Sequence, residues 1–374
     1  LEADLHARLL EGHTVTVERI QRDYDGRVQS ASGYDIKFVT SAGSNIPYIL
    51  EKWTDITGEL QAELRGALND TTFYLYYGKT GLTSAEADPA SASVDCIGKW
   101  HPSAGTDYTG LSRALTATSV SATTLLGRYA GSYNGTTSQL ATTSSTYIDG
   151  LSSIHIHATA QGSGGLMIAG PTSGAAFSLR TTTAGSVGGA ANIWQFVLTV
   201  NKTGGGTAFV RLEGPAASAT ADVTVIDAIW SSGSLPSLYL NGVKVTPSWI
   251  GATDGGVNTA NATVSGTLAT TGTSGFKIGQ GTAAAWTGSI GPVEIRSTPA
   301  PALIVPRYNN LFDPQATYGV GGEDTIDVTN RAPVAVPEAV TTTPNTAVTV
   351  DVLANDIEPD DDTKTLSSVD TPTG

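Results

Sequence analysis

Three groups of residues in this chain have types and spacings that could do chemistry. The first is the acidic run Asp356, Glu358, Asp360, Asp361 and Asp362. Carboxylates crowded on one short loop suit Ca2+, a hard cation that takes oxygen ligands, with Asp356, Glu358, Asp360 and Asp362 as the candidate set. A solvated acidic turn is the plain alternative. The second group is His155 and His157. Alternation along a strand puts both on one face, as metal ligands can be, but two are too few and no third ligand is evident. The third group is aromatic. Tyr239, Trp249 and Trp286 could form a face on which sugars stack, or they could pack in a core. Asp107, Asp227, Asp254 and Glu294 read as isolated acids in turns or at strand ends. Glycoside hydrolysis needs a carboxylate pair at a defined separation, and none is legible here. There is no G-x-S-x-G nucleophile turn and no P-loop.

Strands must position these groups. Segment 238–245 reads LYLNGVKV, two alternating runs around Asn-Gly. A type I′ turn needs positive φ at both central residues, and Asn and Gly tolerate this best, so a two-residue hairpin is expected. Leu238, Leu240, Val243 and Val245 would face a core, with Tyr239 and Lys244 outward. Further strands are expected at 34–39, 46–53, 72–79, 151–158, 193–200, 223–230, 275–279 and 285–296, with Gly, Ser and Thr turns between them. Residues 1–10 read as a short helix with Leu5, Leu9 and Leu10 on one face, too short to stand alone. Residues 81–94, polar and small with Pro89, read as a linker.

Several stretches resemble known families. IPYILEKW at 46–53 and FYLYYG at 73–78 resemble a domain of unknown function found in bacterial surface and phage proteins, usually just before a laminin-G-like module. The order LYLNGVKV, FKIG, WTGSIGPVEIRS resembles the last third of laminin-G-like, concanavalin-A-like jelly rolls, with Gly291-Pro292 where that family has an acidic pair. GRYAGSYNG at 127–135 is similar to an early turn of the same module. Residues 305–314 and 318–323 resemble its closing segment. From Asn330, NRAPVA and VDVLANDIEPDDD resemble the opening of cadherin-like bacterial repeats, with Asp361 where that pattern has Gly. The E-x-D-x-x-E signature of concanavalin-like glucanases is absent. These resemblances imply an all-β chain of serial β-sandwiches with a short N-terminal helix and a central concanavalin-A/laminin-G-like jelly roll. The implied layout is an arm at 1–14, a small sandwich at 15–80, a linker at 81–94, the jelly roll at 95–328 and an incomplete cadherin-like repeat at 329–374.

Composition agrees with this reading. The chain has 374 residues, enough for two or three domains, with 43 glycines, 14% charged residues and a formal net charge of −14. No basic cluster offers a footprint for nucleic acid, and no run of about 18 apolar residues offers a membrane span. Cys96 is the only cysteine, so no intrachain disulfide can form, and a small buried hydrophobe is the reading for it. The chain starts at Leu1 without Met and stops at Gly374, as expected of a piece of a longer protein. The function implied is a non-enzymatic structural or adhesive component, extracellular or on a cell or virion surface, such as a bacterial appendage or a phage tail fibre. Ca2+ is the one cofactor considered. Further copies of the chain, other structural subunits and cell-surface glycans are the expected partners. Few charges guard the strand edges, so a homo-oligomer would cover them and bury the N-terminal helix. The alternative is a polysaccharide-processing enzyme on a concanavalin-like fold.

Overall fold

The computed structural model describes residues 2–7, 15–18, 28–40, 43–54, 59–64, 72–93, 95–142, 147–171, 174–183, 191–219, 222–271, 274–281, 284–312, 318–324, 341, 343 and 347–353. Contacts divide the chain into two compact units, Leu1–Asp324 and Thr325–Gly374. The first unit is almost wholly β.

Its main body is two facing antiparallel sheets. Strand Ser153–Ser163 shows why they face one another. Ile154, Ile156, Ala158 and Ala160 point one way and are buried in the shared core, while His155, His157 and Thr159 point the other way. The same alternation repeats in Thr224–Ser231, through Ile226, Ala228 and Trp230, and in Thr287–Arg296, through Val293 and Ile295. These strands belong to an eight-stranded sheet that also holds Ser237–Leu240, Val243–Lys244 and Cys96–Trp100. Opposite it lies a ten-stranded sheet built around Ile193–Lys202, whose Trp194, Phe196, Leu198 and Val200 point inward. Trp100, Trp194, Trp230 and Trp286 are fully enclosed between the sheets. Burial of each such ring is worth about 3 kcal/mol, so this core dominates stability.

The Asn241-Gly242 hairpin forms as expected. Both residues have positive φ, 53° and 77°, and Tyr239 pairs with Lys244. The Asn241 carboxamide oxygen also accepts the Val225 N–H at 2.9 Å, tying the turn to the neighbouring strand. Leu238 enters the core, but Val243, expected inward, is 68% exposed. The returning strand is only Val243–Lys244, too short to reach over the core.

The expected N-terminal helix is a strand. Glu2–Ala7 lies antiparallel between Thr72–Tyr76 and Tyr318–Asp324, in a four-stranded sheet with Lys37–Thr40. Ten residues carry too few turns for helical periodicity to decide, and a segment with ladders on both sides satisfies its backbone as a strand. Its partners are strands of this same chain, so the helix-burying contact with a neighbouring molecule loses its basis. A three-stranded sheet, Val15–Glu18, Glu59–Leu64 and Tyr48–Thr54, completes the N-terminal part around Phe38, Tyr48, Leu64 and Leu75. The stretch read as a linker is held down: Ala87 packs on this second core and the Glu86 N–H bonds the Tyr34 carbonyl. Cys96 is buried, its Sγ 3.5 Å from the Ile295 carbonyl.

Ile304–Phe312 is a helix. Pro306 falls in its first turn, where a missing N–H costs no helical bond. Ile304, Arg307 and Leu311 recur at helical spacing and are all buried, so an arginine stands in the middle of the stripe that would otherwise be apolar. In the second unit the Asp351 carboxylate accepts the Leu353 N–H at 3.2 Å. The acidic run at 356–362 lies outside the described residues.

Candidate functional site

Both sheets turn polar rows outward, and register builds those rows. On the eight-stranded sheet, Lys244, Tyr239, Asp227, His157, Glu294 and Lys99 are successive cross-strand partners, one residue per strand. Asp227 and Glu294 are therefore mid-sheet, not the isolated turn acids that the sequence offered. The Asp227 carboxylate bridges the two histidines. His155 Nε2 and His157 Nδ1 each lie 2.9 Å from its Oδ1. The Ala300 N–H donates to His155 Nδ1 at 3.2 Å, so that nitrogen is the acceptor and Nε2–H is the donor to Asp227. His155 is thus neutral. Burial pushes its pKa down, Arg307 and His157 add to this, and the Asp227 interactions oppose it without prevailing. Burial favours the neutral acid at Asp227, yet the two imidazoles hold its carboxyl below the usual range. The ring nitrogens that face one another are spent on Asp227, so the pair is joined by a carboxylate and not by a metal. Among the described residues no group of three or more His, Cys, Asp or Glu is arranged to hold an ion.

Next along the row is a buried ionic cluster where three elements meet. Arg307 of the helix places one guanidinium nitrogen 2.8 Å from Glu63 and 3.1 Å from both oxygens of Glu294. Lys99 pairs with Glu51 and Glu63 and stands 4.0 Å from Glu294. Arg296 reaches Glu294 at 3.5 Å and, at the solvent edge, Asp95 at 3.6 Å. Burial works against the charge on Arg307, but Glu294, Glu63 and Asp227 outweigh it and keep the guanidinium firmly protonated. Three buried carboxylates meet three cations, so the cluster is neutral. Glu51 and Glu63 come from the three-stranded sheet, Lys99, Glu294 and Arg296 from the eight-stranded sheet, and Arg307 from the helix. It is a polar layer that fixes these elements to one another. Glu63 and Glu294 converge as a hydrolytic pair would, but both are enclosed and ion-paired, and neither can meet a substrate.

The ten-stranded sheet carries the second row. Arg180, Gln195, Glu213 and Trp249 are successive cross-strand partners, all on the face turned away from the core. Arg180 Nε and a terminal nitrogen donate to the Gln195 carboxamide oxygen at 2.8 and 2.6 Å, and Gln195 Nε2 donates to Glu213 at 3.0 Å. Gln195 and Glu213 are fully buried, while Arg180 and Trp249 are half-buried. Phe209, two residues before Arg211 on the same face, is 39% exposed. Half-buried Trp249, the exposed Phe209 ring and the half-buried guanidinium groups of Arg180 and Arg211 are what this face can offer to a polar, ring-shaped ligand.

The three expected ligand aromatics are thus separated. Trp249 stands on the outer face of one sheet and Tyr239, half-buried, on the outer face of the other. Trp286 is 0% exposed and stacks on Trp194, ring centroids 5.8 Å apart, so it is core and offers no face to a ligand. Sequence reasoning missed Arg180, Gln195, Arg211 and Glu213. The available signal was a polar residue among the outward positions of strands that are otherwise apolar, such as Gln195 in IWQFVLTV.

Residues 330–374 match the Bacterial Ig domain family, on the stretch read as an incomplete cadherin-like repeat. A comparison with curated proteins finds no match. Among solved structures, domain 4 of the extracellular arabinanase AbnA from Geobacillus stearothermophilus, solved with arabinotriose, is similar at 11% identity and a TM-score of 0.40, over 56% of this chain and 97% of that one. The binding domain of Paraclostridial Mosquitocidal Protein 1 is similar at 9% identity and a TM-score of 0.35, over 59% of this chain and 53% of its own. The binding domain of botulinum neurotoxin DC with rat synaptotagmin II gives 10% and 0.37, over 59% and 52%. This chain spans about half the length of the toxin domains that it matches. No helix among the described residues is long and apolar enough to cross a membrane.

Proposed function

We propose that the first unit is a non-catalytic carbohydrate-binding module of a bacterial surface or phage tail-fibre protein, and that its binding surface is the outer face of the ten-stranded sheet. The observation that carries this is the register row Arg180, Gln195, Glu213 and Trp249. It sets a half-buried indole in one row with the half-buried Arg180, whose guanidinium the enclosed Gln195 holds in place, with Glu213 bracing Gln195 in turn. Sugars need both, an apolar platform for their C–H face and preorganised polar groups for their hydroxyls. The buried pairing of Glu63 and Glu294 counts against the polysaccharide-processing enzyme. The same reading takes the sandwich as a laminin-G-like jelly roll, in an extracellular chain that works with further copies or other structural subunits. The Bacterial Ig domain match supports the surface setting. Binding of a polysaccharide panel tests it: Trp249→Ala should lose most of the affinity, whereas Tyr239→Ala on the opposite sheet should not. Equal loss from both, or binding by neither the variants nor the parent, would end it. The acidic run belongs to the proposal as a Ca2+ site that needs the rest of a repeat, or the next repeat, for its ligands. Calorimetry on a chain extended to a complete repeat should show Ca2+ binding, and no heat with no stabilisation would leave a plain solvated loop.

A further inference from the structure

We propose, building on the carbohydrate-binding reading, that the ligand of this face is an acidic polysaccharide whose carboxylates are read by Arg211. The chain as a whole carries a net charge of −14, yet this face runs against that balance. A second row crosses it beside the first: Lys277, Ile168, Ser178, Val197, Arg211 and Gly251 are successive partners. The two rows together hold three cations, Arg180, Arg211 and Lys277, against one carboxylate, Glu213.

The three cations are not equivalent. Arg180 is bound to Gln195, and Lys277 donates to Gln280 at 3.3 Å. Arg211 makes no side-chain hydrogen bond or ion pair with any described residue, and its Nε is buried without an acceptor. The terminal nitrogens of this half-buried guanidinium pair with no described residue, and in an acidic protein they are suited to an incoming planar anion, which they can grip with two parallel N–H bonds. Gly251, the cross-strand partner of Arg211 with φ 157°, is buried: the backbone of the next strand packs against it, and a Cβ there would lie 2.2 Å from the Thr259 carbonyl oxygen, so only glycine fits. Trp249 is two residues along from that glycine and diagonal to Arg211, about 7–8 Å away between Cα atoms. A sugar ring on Trp249 would bring its ring carboxylate over the Arg211 fork.

Four strand steps separate Arg211 from Lys277, about 19 Å at the usual strand spacing. Lys277 lines a pocket of about 250 Å³ with Ile168, Pro171, Ser274 and Gln280. Cations at both ends of such a span fit a polymer bearing repeated carboxylates better than a single sugar.

The test is a binding panel of matched polymers, with polygalacturonate, alginate and hyaluronan each beside its own methyl ester. The parent chain should bind at least one carboxylate form about tenfold more tightly than its ester, the size of effect that a charge-assisted pair gives. Arg211→Gln should erase that difference and keep the melting temperature, Lys277→Gln should reduce it, and Trp249→Ala should weaken both forms alike. Equal binding of acid and ester, or a difference that Arg211→Gln leaves intact, would overturn the acidic ligand while the carbohydrate-binding module stands. Binding of no polymer would overturn both.

Discussion

Removing Arg307 tests the ionic layer that joins helix, sheet and N-terminal part. In Arg307→Met, Glu51, Glu63 and Glu294 would face only Lys99 and Arg296. One buried negative charge is then uncompensated. Replacing a whole buried ion pair by apolar groups can be harmless, but deleting one partner costs about 3–5 kcal/mol, because the other keeps its desolvation penalty. At roughly 2 °C per kcal/mol for a unit of this size, the melting temperature should fall by about 6–10 °C. Arg307→Lys should fall by less: it keeps the charge, and a single ammonium nitrogen can approach Glu63 and Glu294 as the one guanidinium nitrogen does, though from a side chain of different reach and shape. Adding Glu294→Gln to Arg307→Met should recover part of the loss, since it removes the stranded charge. Scanning calorimetry near neutral pH reads all three. If Arg307→Met melts with the parent, or if the second substitution makes matters worse by its full separate cost, the cluster is not a neutral balanced layer and the reasoning fails.

Three other outcomes follow from the geometry. As pH falls below about 6.5 the unfolded chain protonates its histidines, but buried His155 resists, so the melting temperature should drop towards pH 5, and less so in His155→Gln; Asp227, held low in the fold, adds a further loss only below about pH 4. A flat profile, or an unchanged one in the variant, would contradict the neutral assignment. Trp286→Ala should cost about 3–5 kcal/mol in urea unfolding as a core truncation, far more than Trp249→Ala, and similar costs would mean that the two indoles are not in different environments. Asn241→Ala should cost about 2 kcal/mol, from a non-glycine residue forced to positive φ and from the lost partner of the Val225 N–H; a midpoint equal to the parent would show that the turn tolerates any residue.

Local patterns in the sequence carried a good part of this protein. Alternation of apolar residues announced strands at 193–200, 223–230 and 285–296, and Asn-Gly announced the hairpin, because both signals act over a few residues of chain. A lone cysteine was readable as buried from its residue type, since a free thiol behaves as a small hydrophobe. Which face each strand residue meets is another matter. Period two says that there are two faces, not what covers them, so Trp249 and Trp286 looked alike while one lies outside and the other stacks on Trp194. Residues 1–10 had a helical spacing that two flanking ladders override. The sites themselves are products of register. His155 and Asp227 are 72 positions apart, and Arg307 and Glu63 are 244 apart. Only long-range pairing of strands brings such residues into one row, and no spacing along the chain records it.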